Sequence, residues 1–112
     1  MENKLNSRLV GMLGFAMRAG RVVIGTDMVC RSMAKHGKAK PSLVLISNSA
    51  SESAKDKISH KAEYYGIEWR IISIDSAELG RMLGKTSTPV TVAIADDNFA
   101  REIIKAIADT DN

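Results

Sequence analysis

The sequence predicts an α/β fold, a three-layer α/β/α sandwich around a mixed sheet of about four strands. Three observations lead there. Short β-branched or apolar runs alternate along the chain with stretches whose apolar residues recur at three- and four-residue spacings. Leu43-Val44-Leu45-Ile46 is apolar without alternation, the pattern of a strand covered on both faces. The 112 residues, 45% hydrophobic and 26% charged, suit one soluble globular domain over 1–112 and are too few for two independent cores.

The elements follow in order. Leu5, Leu9, Met12, Leu13, Ala16 and Met17 form a helical stripe with Arg8 and Arg18 off it, and Gly20 closes the helix. Val22-Val23-Ile24 is a brief β-branched strand. Gly25 breaks it, and Thr26 or Asp27 is expected to cap a second helix that buries Val29 and Met33 and ends at His36-Gly37. Ser42 to Ser47, bounded by Pro41 and Asn48-Ser49, is the central strand.

Ser51 or Ser53 caps a third helix that runs to Tyr65 with Ala54, Ile58, Ala62 and Tyr65 on one face, and Gly66 ends it. Trp69 to Ile74 is the next strand. Asp75 or Ser76 caps a short helix through Leu79, Met82 and Leu83, ended by Gly84. Lys85 to Pro89 is a polar loop and Val90 to Ala95 the last strand. Asp96, Asp97 or Asn98 starts a final helix carrying Phe99, Ile103, Ile104 and Ile107, and the tail Asp109 to Asn112 is expected to fray.

Sixteen Lys and Arg against 13 Asp and Glu leave a formal net charge of +3, which permits a polyanionic partner without requiring one. A single cysteine, Cys30, makes neither an internal disulfide nor a zinc cage, so a reducing cytoplasm is the expected compartment. No segment approaches the roughly 18 apolar residues of a membrane helix, and no signal-type apolar block follows Met1, so no membrane partner is expected.

Catalytic equipment is thin. His36 and His60 have no metal-ligand spacing; the first reads as a helix-end residue and the second as solvated among Lys55, Lys57 and Lys61. Asp96-Asp97 reads as a helix cap, because a phospho-acceptor site would also need an Asp after the middle strand, where Ser47-Asn48-Ser49 stands. Cys30 lies inside a helix, away from a dipole-activated turn. Gly11-Met12-Leu13-Gly14 is not preceded by a strand and is no phosphate loop. No enzyme activity, cofactor or metal is therefore expected.

Two regions carry binding chemistry. In Arg18 to Arg31 a strand ends in Gly25 and a helix begins, and free helix N-terminal amides suit phosphate oxygens. Asp27, Arg31 and Lys35 follow at four-residue spacing and share a face, and Met28 offers an apolar surface to an unstacked base. Arg18, Arg21, Arg31, Lys35, Lys38 and Lys40 are expected to cluster around one helix end. The second region, Gly84-Lys85-Thr86-Ser87-Thr88-Pro89-Val90, is small, hydroxyl-rich and basic, suited to close approach by a nucleic-acid backbone.

At these regions the sequence resembles the kink-turn RNA-binding family of ribosomal proteins, the seven-Ae and thirty-e types of the large subunit, in its short bacterial YlxQ-like branch. The resemblance is carried by Ala16 to Arg21, Val23 to Asp27, Gly37 to Lys40 leading into Leu43 to Ile46, Tyr64 to Ile67, and Glu78 to Lys85. It runs from about Leu9 to Ile104.

The resemblance implies the α/β/α sandwich and a non-catalytic protein that binds structured RNA, ribosomal or non-coding, as a monomer. In the family a Gly-x-Asn-Glu-x-x-Lys stretch at the start of the second helix binds the tandem sheared G·A pairs of a kink-turn. Here the glycine is Gly25, the asparagine is replaced by Asp27, the glutamate by Met28 and the lysine by Arg31. Arg31 keeps the charge and adds a planar fork; Asp27 loses an amide donor, and Met28 loses a carboxylate acceptor. The family's nucleotide-holding loop corresponds to Lys85, Thr86, Ser87, Thr88, Pro89 and Val90. With Arg21, Thr26, Lys35 and Lys38 added, these residues form the expected RNA surface. The alternative is a protein-interaction module on the same scaffold, docking a protein partner through Met28 and the loop.

Overall fold

The computed structural model describes residues 4–111, with side chains over 7–108. In order, the chain forms α1 (Lys4–Arg18), β1 (Val22–Ile24), α2 (Thr26–Met33), a 3₁₀ turn (Gly37–Ala39), β2 (Leu43–Ser47), α3 (Glu52–Tyr64), β3 (Glu68–Ile72), α4 (Ser76–Met82), β4 (Thr91–Ile94) and α5 (Asp97–Asp111).

The four strands make one mixed sheet in the order β1-β4-β2-β3. β4 is antiparallel to both its neighbours, while β2 and β3 are parallel. Every residue of β2 and of β4 is buried, as two-sided cover requires. Side chains alternate across the sheet. Leu43, Leu45, Val92 and Ile94 face α1, α4 and α5, where they meet Leu9, Leu13, Leu79 and Ile103. Val44, Ile46 and Ala93 face α2 and α3, where they meet Val29, Met33, Ile58 and Ala62. Three helices on one face and two on the other complete the three layers.

Caps are mostly where the sequence puts them. Ser51 Oγ accepts from the Ala54 amide at 3.1 Å, Asp75 Oδ1 from Glu78 at 2.8 Å and Asp96 Oδ1 from Phe99 at 2.9 Å. His60 is exposed and Cys30 is buried.

Several boundaries differ from expectation, each for a local reason. β3 stops at Ile72: the Asn48 amide's bond to the Ile72 carbonyl, at 3.0 Å, is the last rung of the β2–β3 ladder, and beyond it the Ile74 carbonyl accepts from the Ser47 hydroxyl at 2.6 Å. His36-Gly37 does not end α2. Ser32 Oγ bonds back to the Val29 carbonyl at 2.7 Å, the last turn tightens onto the Ser32 carbonyl, and the helix closes at Met33. The tail expected to fray is helical to Asp111, and Asn112 and the Leu5 side chain lie outside the described residues.

Candidate functional site

The end of the sheet where β1 hands over to α2 is built around Gly25. Its φ of 98° and ψ of 146° lie where side-chain-bearing residues are strained. The Gly25 amide donates to the Thr91 carbonyl and its carbonyl accepts from the Val29 amide, both at 2.9 Å. One residue thus closes the β1–β4 ladder and opens the helix.

Gly25, rather than the expected Thr26 or Asp27, is therefore the N-cap, and no side chain closes this end. Thr26 is diverted: its Oγ1 lies 3.2 Å from Thr91 Oγ1, tying α2 to β4. The first amide with an acceptor inside the helix is that of Val29. The amides of Thr26, Asp27 and Met28 consequently project from the end of the helix, with its positive dipole end behind them.

Around those amides stand exposed side chains. Met28 is 53% exposed, an apolar surface facing solvent. Asp27 and Arg31 are exposed one turn apart, and no ion pair joins them among the described residues. A helical side chain leans toward its own N-terminus, which carries the Arg31 guanidinium toward the open amides.

The loop after α4 reaches the same end. Gly84, at φ +69°, terminates α4; its amide donates to Arg81 at 3.1 Å and that of Lys85 to Gly80 at 2.8 Å, the paired bonds of a Schellman motif. Lys85, Thr86, Ser87 and Thr88 are exposed, and Pro89 and Val90 are half-buried. Val90 packs against the α2–α3 core, and its carbonyl accepts from the Ser47 amide at 2.8 Å.

Sequence reasoning missed Gly80. A Cβ on this helical glycine would run into the Ser87 carbonyl oxygen and would stand 3.4 Å from Pro89 Cδ. The loop lies directly on α4 because Gly80 has no side chain. The available signal was a glycine inside a short helix that needs no unusual φ, which points to a close approach.

Gly80→Ala sets two effects against each other. Helix propensity gains about 1 kcal/mol, and overpacking against loop backbone costs about 1–3 kcal/mol. A net loss of about 1 kcal/mol is expected in urea unfolding, with amide chemical-shift changes centred on 85–90. A variant more stable than the parent by the full propensity gain would show that Ser87 does not rest on Gly80.

The structure thus brings together Gly25, Thr26, Asp27, Met28 and Arg31 with Lys85 to Val90. It does not bring Arg21, Lys35 and Lys38 to them. The Arg21 carbonyl accepts from the Ala95 amide at 2.8 Å, at the far end of the β1–β4 ladder. Its Nη2 donates to the Lys38 carbonyl at 3.0 Å, and Lys35 lies beyond the last turn of α2. From Arg21 to Gly25 the extended chain covers about 13 Å at about 3.3 Å per residue. The single basic cluster expected around one helix end is therefore divided between two ends of the sheet.

Among the described residues no group of three or more His, Cys, Asp or Glu could hold a metal ion, and no helix is long and apolar enough to cross a membrane.

Residues 8–104 match the ribosomal protein L7Ae/L30e/S12e/Gadd45 family. The chain is 35% identical over 96 residues to the RNA-binding protein YlxQ of Bacillus subtilis (strain 168), an alignment covering 86% of this chain and 91% of that protein. It is 31% identical over 103 residues to the RNA-binding protein YlxQ of Enterococcus faecium, covering 91% and 93%. Among solved structures it resembles a protein of unknown function from Bacillus halodurans, with a TM-score of 0.79, 26% identity and 90% and 97% of the two chains covered. It also shares its fold with the 15.5 kD RNA-binding protein of Giardia lamblia, with a TM-score of 0.72, 14% identity and 99% and 91% covered.

Proposed function

The chain belongs to the ribosomal protein L7Ae/L30e/S12e/Gadd45 family, and from that membership we propose that it is a non-catalytic RNA-binding protein whose ligand is a structured, kink-turn-like RNA. The two relatives described above are each named as RNA-binding proteins. The observation that carries the reading is the uncapped N-terminus of α2 standing beside the exposed 85–90 loop at one end of the sheet.

Each part of that surface has a task in the proposal. The amides of Thr26, Asp27 and Met28 donate to phosphate oxygens or base-edge acceptors. Arg31 supplies the charge that draws in the backbone and a fork that fits a guanine edge. Met28 covers the face of an unstacked base, and the loop's hydroxyls and backbone hold the neighbouring nucleotide. The proposal includes a ribosome-associated RNA, met in the cytoplasm by a monomeric protein.

The test is a titration against a kink-turn RNA, a straight duplex and a single strand at two salt concentrations. The kink-turn should bind most tightly. Arg31→Ala should flatten the dependence of log affinity on log salt by about 0.9 for a duplex contact or about 0.7 for a single-stranded one. If neither slope nor affinity moves, Arg31 faces solvent in the complex and the surface lies elsewhere.

A further inference from the structure

The basic residues left out of the site are not scattered. At the end of the sheet opposite Gly25, an open recess of about 630 Å³ is lined by Arg21, Lys38, Lys40, Ser42, Asp96 and Asn98, among others. It lies where β1 and β2 begin, β4 ends and α5 starts. We propose that this recess is a second RNA-contact surface, which takes the ribose-phosphate backbone of a separate RNA segment, so that the protein bridges two segments. The inference rests on the RNA-binding reading above.

The chemistry of the lining selects that ligand. Arg21 spends one donor on the Lys38 carbonyl at 3.0 Å, which holds the guanidinium at the recess with most of its five N–H donors to spare. With Lys38 and Lys40 it brings three cations to the lining, suited to phosphate oxygens.

The same lining carries the carboxylates of Asp96 and Asp97. Asp96 Oδ1 accepts from the Phe99 amide at 2.9 Å, and Asp97 Oδ1 from Ser42 Oγ at 2.5 Å. A bare phosphate would be repelled there. A ribose 2′-hydroxyl, which donates, would be accepted by a carboxylate, whereas Asn98 Oδ1 already accepts from Arg101 Nη2 at 3.1 Å. A lining of both signs therefore suits ribose-phosphate over deoxyribose-phosphate.

No aromatic ring is among the lining residues, so the recess lacks a stacking platform and reads backbone rather than base. It also lies at the other end of the strands from the α2 N-terminus, about 13 Å along β1. An RNA held at one end leaves the other open.

The experiment saturates the protein with a labelled kink-turn hairpin and then titrates in a short RNA duplex carrying a second label. Native gels and mass measurement score a one-to-one-to-one complex. The ternary complex should form with the RNA duplex and form at least fivefold less tightly with a DNA duplex of the same sequence. Lys38→Glu with Lys40→Glu should weaken capture of the duplex at least tenfold while the hairpin binds within twofold of the parent. That retained hairpin binding also reports that the variant folds.

Arg21→Gln, which keeps a donor for the Lys38 carbonyl but removes the charge, should weaken capture in the same direction. Absence of a ternary complex, equal capture of RNA and DNA, or parallel loss of both ligands in the lysine variant would each overturn the second surface. A protein that bound the hairpin but never the duplex would leave the first reading standing. One that bound neither would remove both.

Discussion

Changing Asp27 to Asn and Met28 to Glu together should raise affinity for a consensus kink-turn by about 1–3 kcal/mol over the same RNA with its G·A pairs replaced, the size of one good bidentate contact. The two positions lie in the first turn of α2, beside amides that have no acceptor within the helix. Asn donates from its amide where Asp only accepts, and Glu accepts from a guanine edge where a thioether is a weak acceptor.

The scaffold should tolerate the exchange. Met28 is 53% exposed, so little core is lost. The pair of substitutions moves one negative charge by a single residue within the first turn, leaving the helix-end electrostatics almost unchanged. Titrations of the parent and double variant against both RNAs at matched salt provide the comparison. If the double variant prefers neither RNA, the geometry of this end does not fit a kink-turn. A strong preference already present in the parent would assign recognition to the Gly25 backbone and the 85–90 loop, and not to the two side chains.

Leu45→Ala should cost about 2–5 kcal/mol of stability. Leu45 is fully buried in the middle of the central strand, in the cluster that joins Leu9, Leu13, Ile72, Val92 and Ile103. The cavity would be walled by the sheet on one side and by helices on the other, and neither layer closes inward without breaking its own hydrogen bonds. Against a typical total of about 5–15 kcal/mol this is a large fraction, and a fall in Tm of roughly 8–20 °C is expected at roughly 4 °C per kcal/mol.

Ile71 is the control. It lies on the edge strand β3 and is 45% exposed, so Ile71→Ala should cost less than about 1 kcal/mol. Urea unfolding of both variants makes the comparison. A Leu45→Ala loss no larger than the Ile71→Ala loss would show that the sheet is not packed from both sides. RNA affinity of the folded Leu45→Ala protein should match the parent, because the Leu45 side chain is fully buried in the α1–α4–α5 core.

Much of this was legible in the residues alone, because it depends on local physics. Among the described residues, the five α-helices and four strands follow from apolar periods that each segment carries in itself. The caps at Ser51, Asp75 and Asp96 follow from side chains that reach an amide three residues on. The uninterrupted run of β2 declared its two-sided burial. The starting region of α2 and the loop after α4 could be singled out by residue type, Gly25 and Met28 in one, the hydroxyls and Lys85 in the other.

What the residues did not declare is which ends meet. The order β1-β4-β2-β3 depends on Val22–Ile24 pairing with Val92–Ile94 from the far end of the chain, and an apolar strand carries no address for its partner. That pairing sets Thr91 beside Gly25 and Thr26 and so delivers the 85–90 loop to the start of α2. The same pairing sends Arg21 to Ala95 and, with the chain's return through Gly37–Ala39, carries Lys38 and Lys40 to the recess. Gly80 acquires its meaning only when the loop folds back over α4. Side-chain type and spacing determine which residues can bind an anion, whereas long-range strand pairing decides which of them act on the same one.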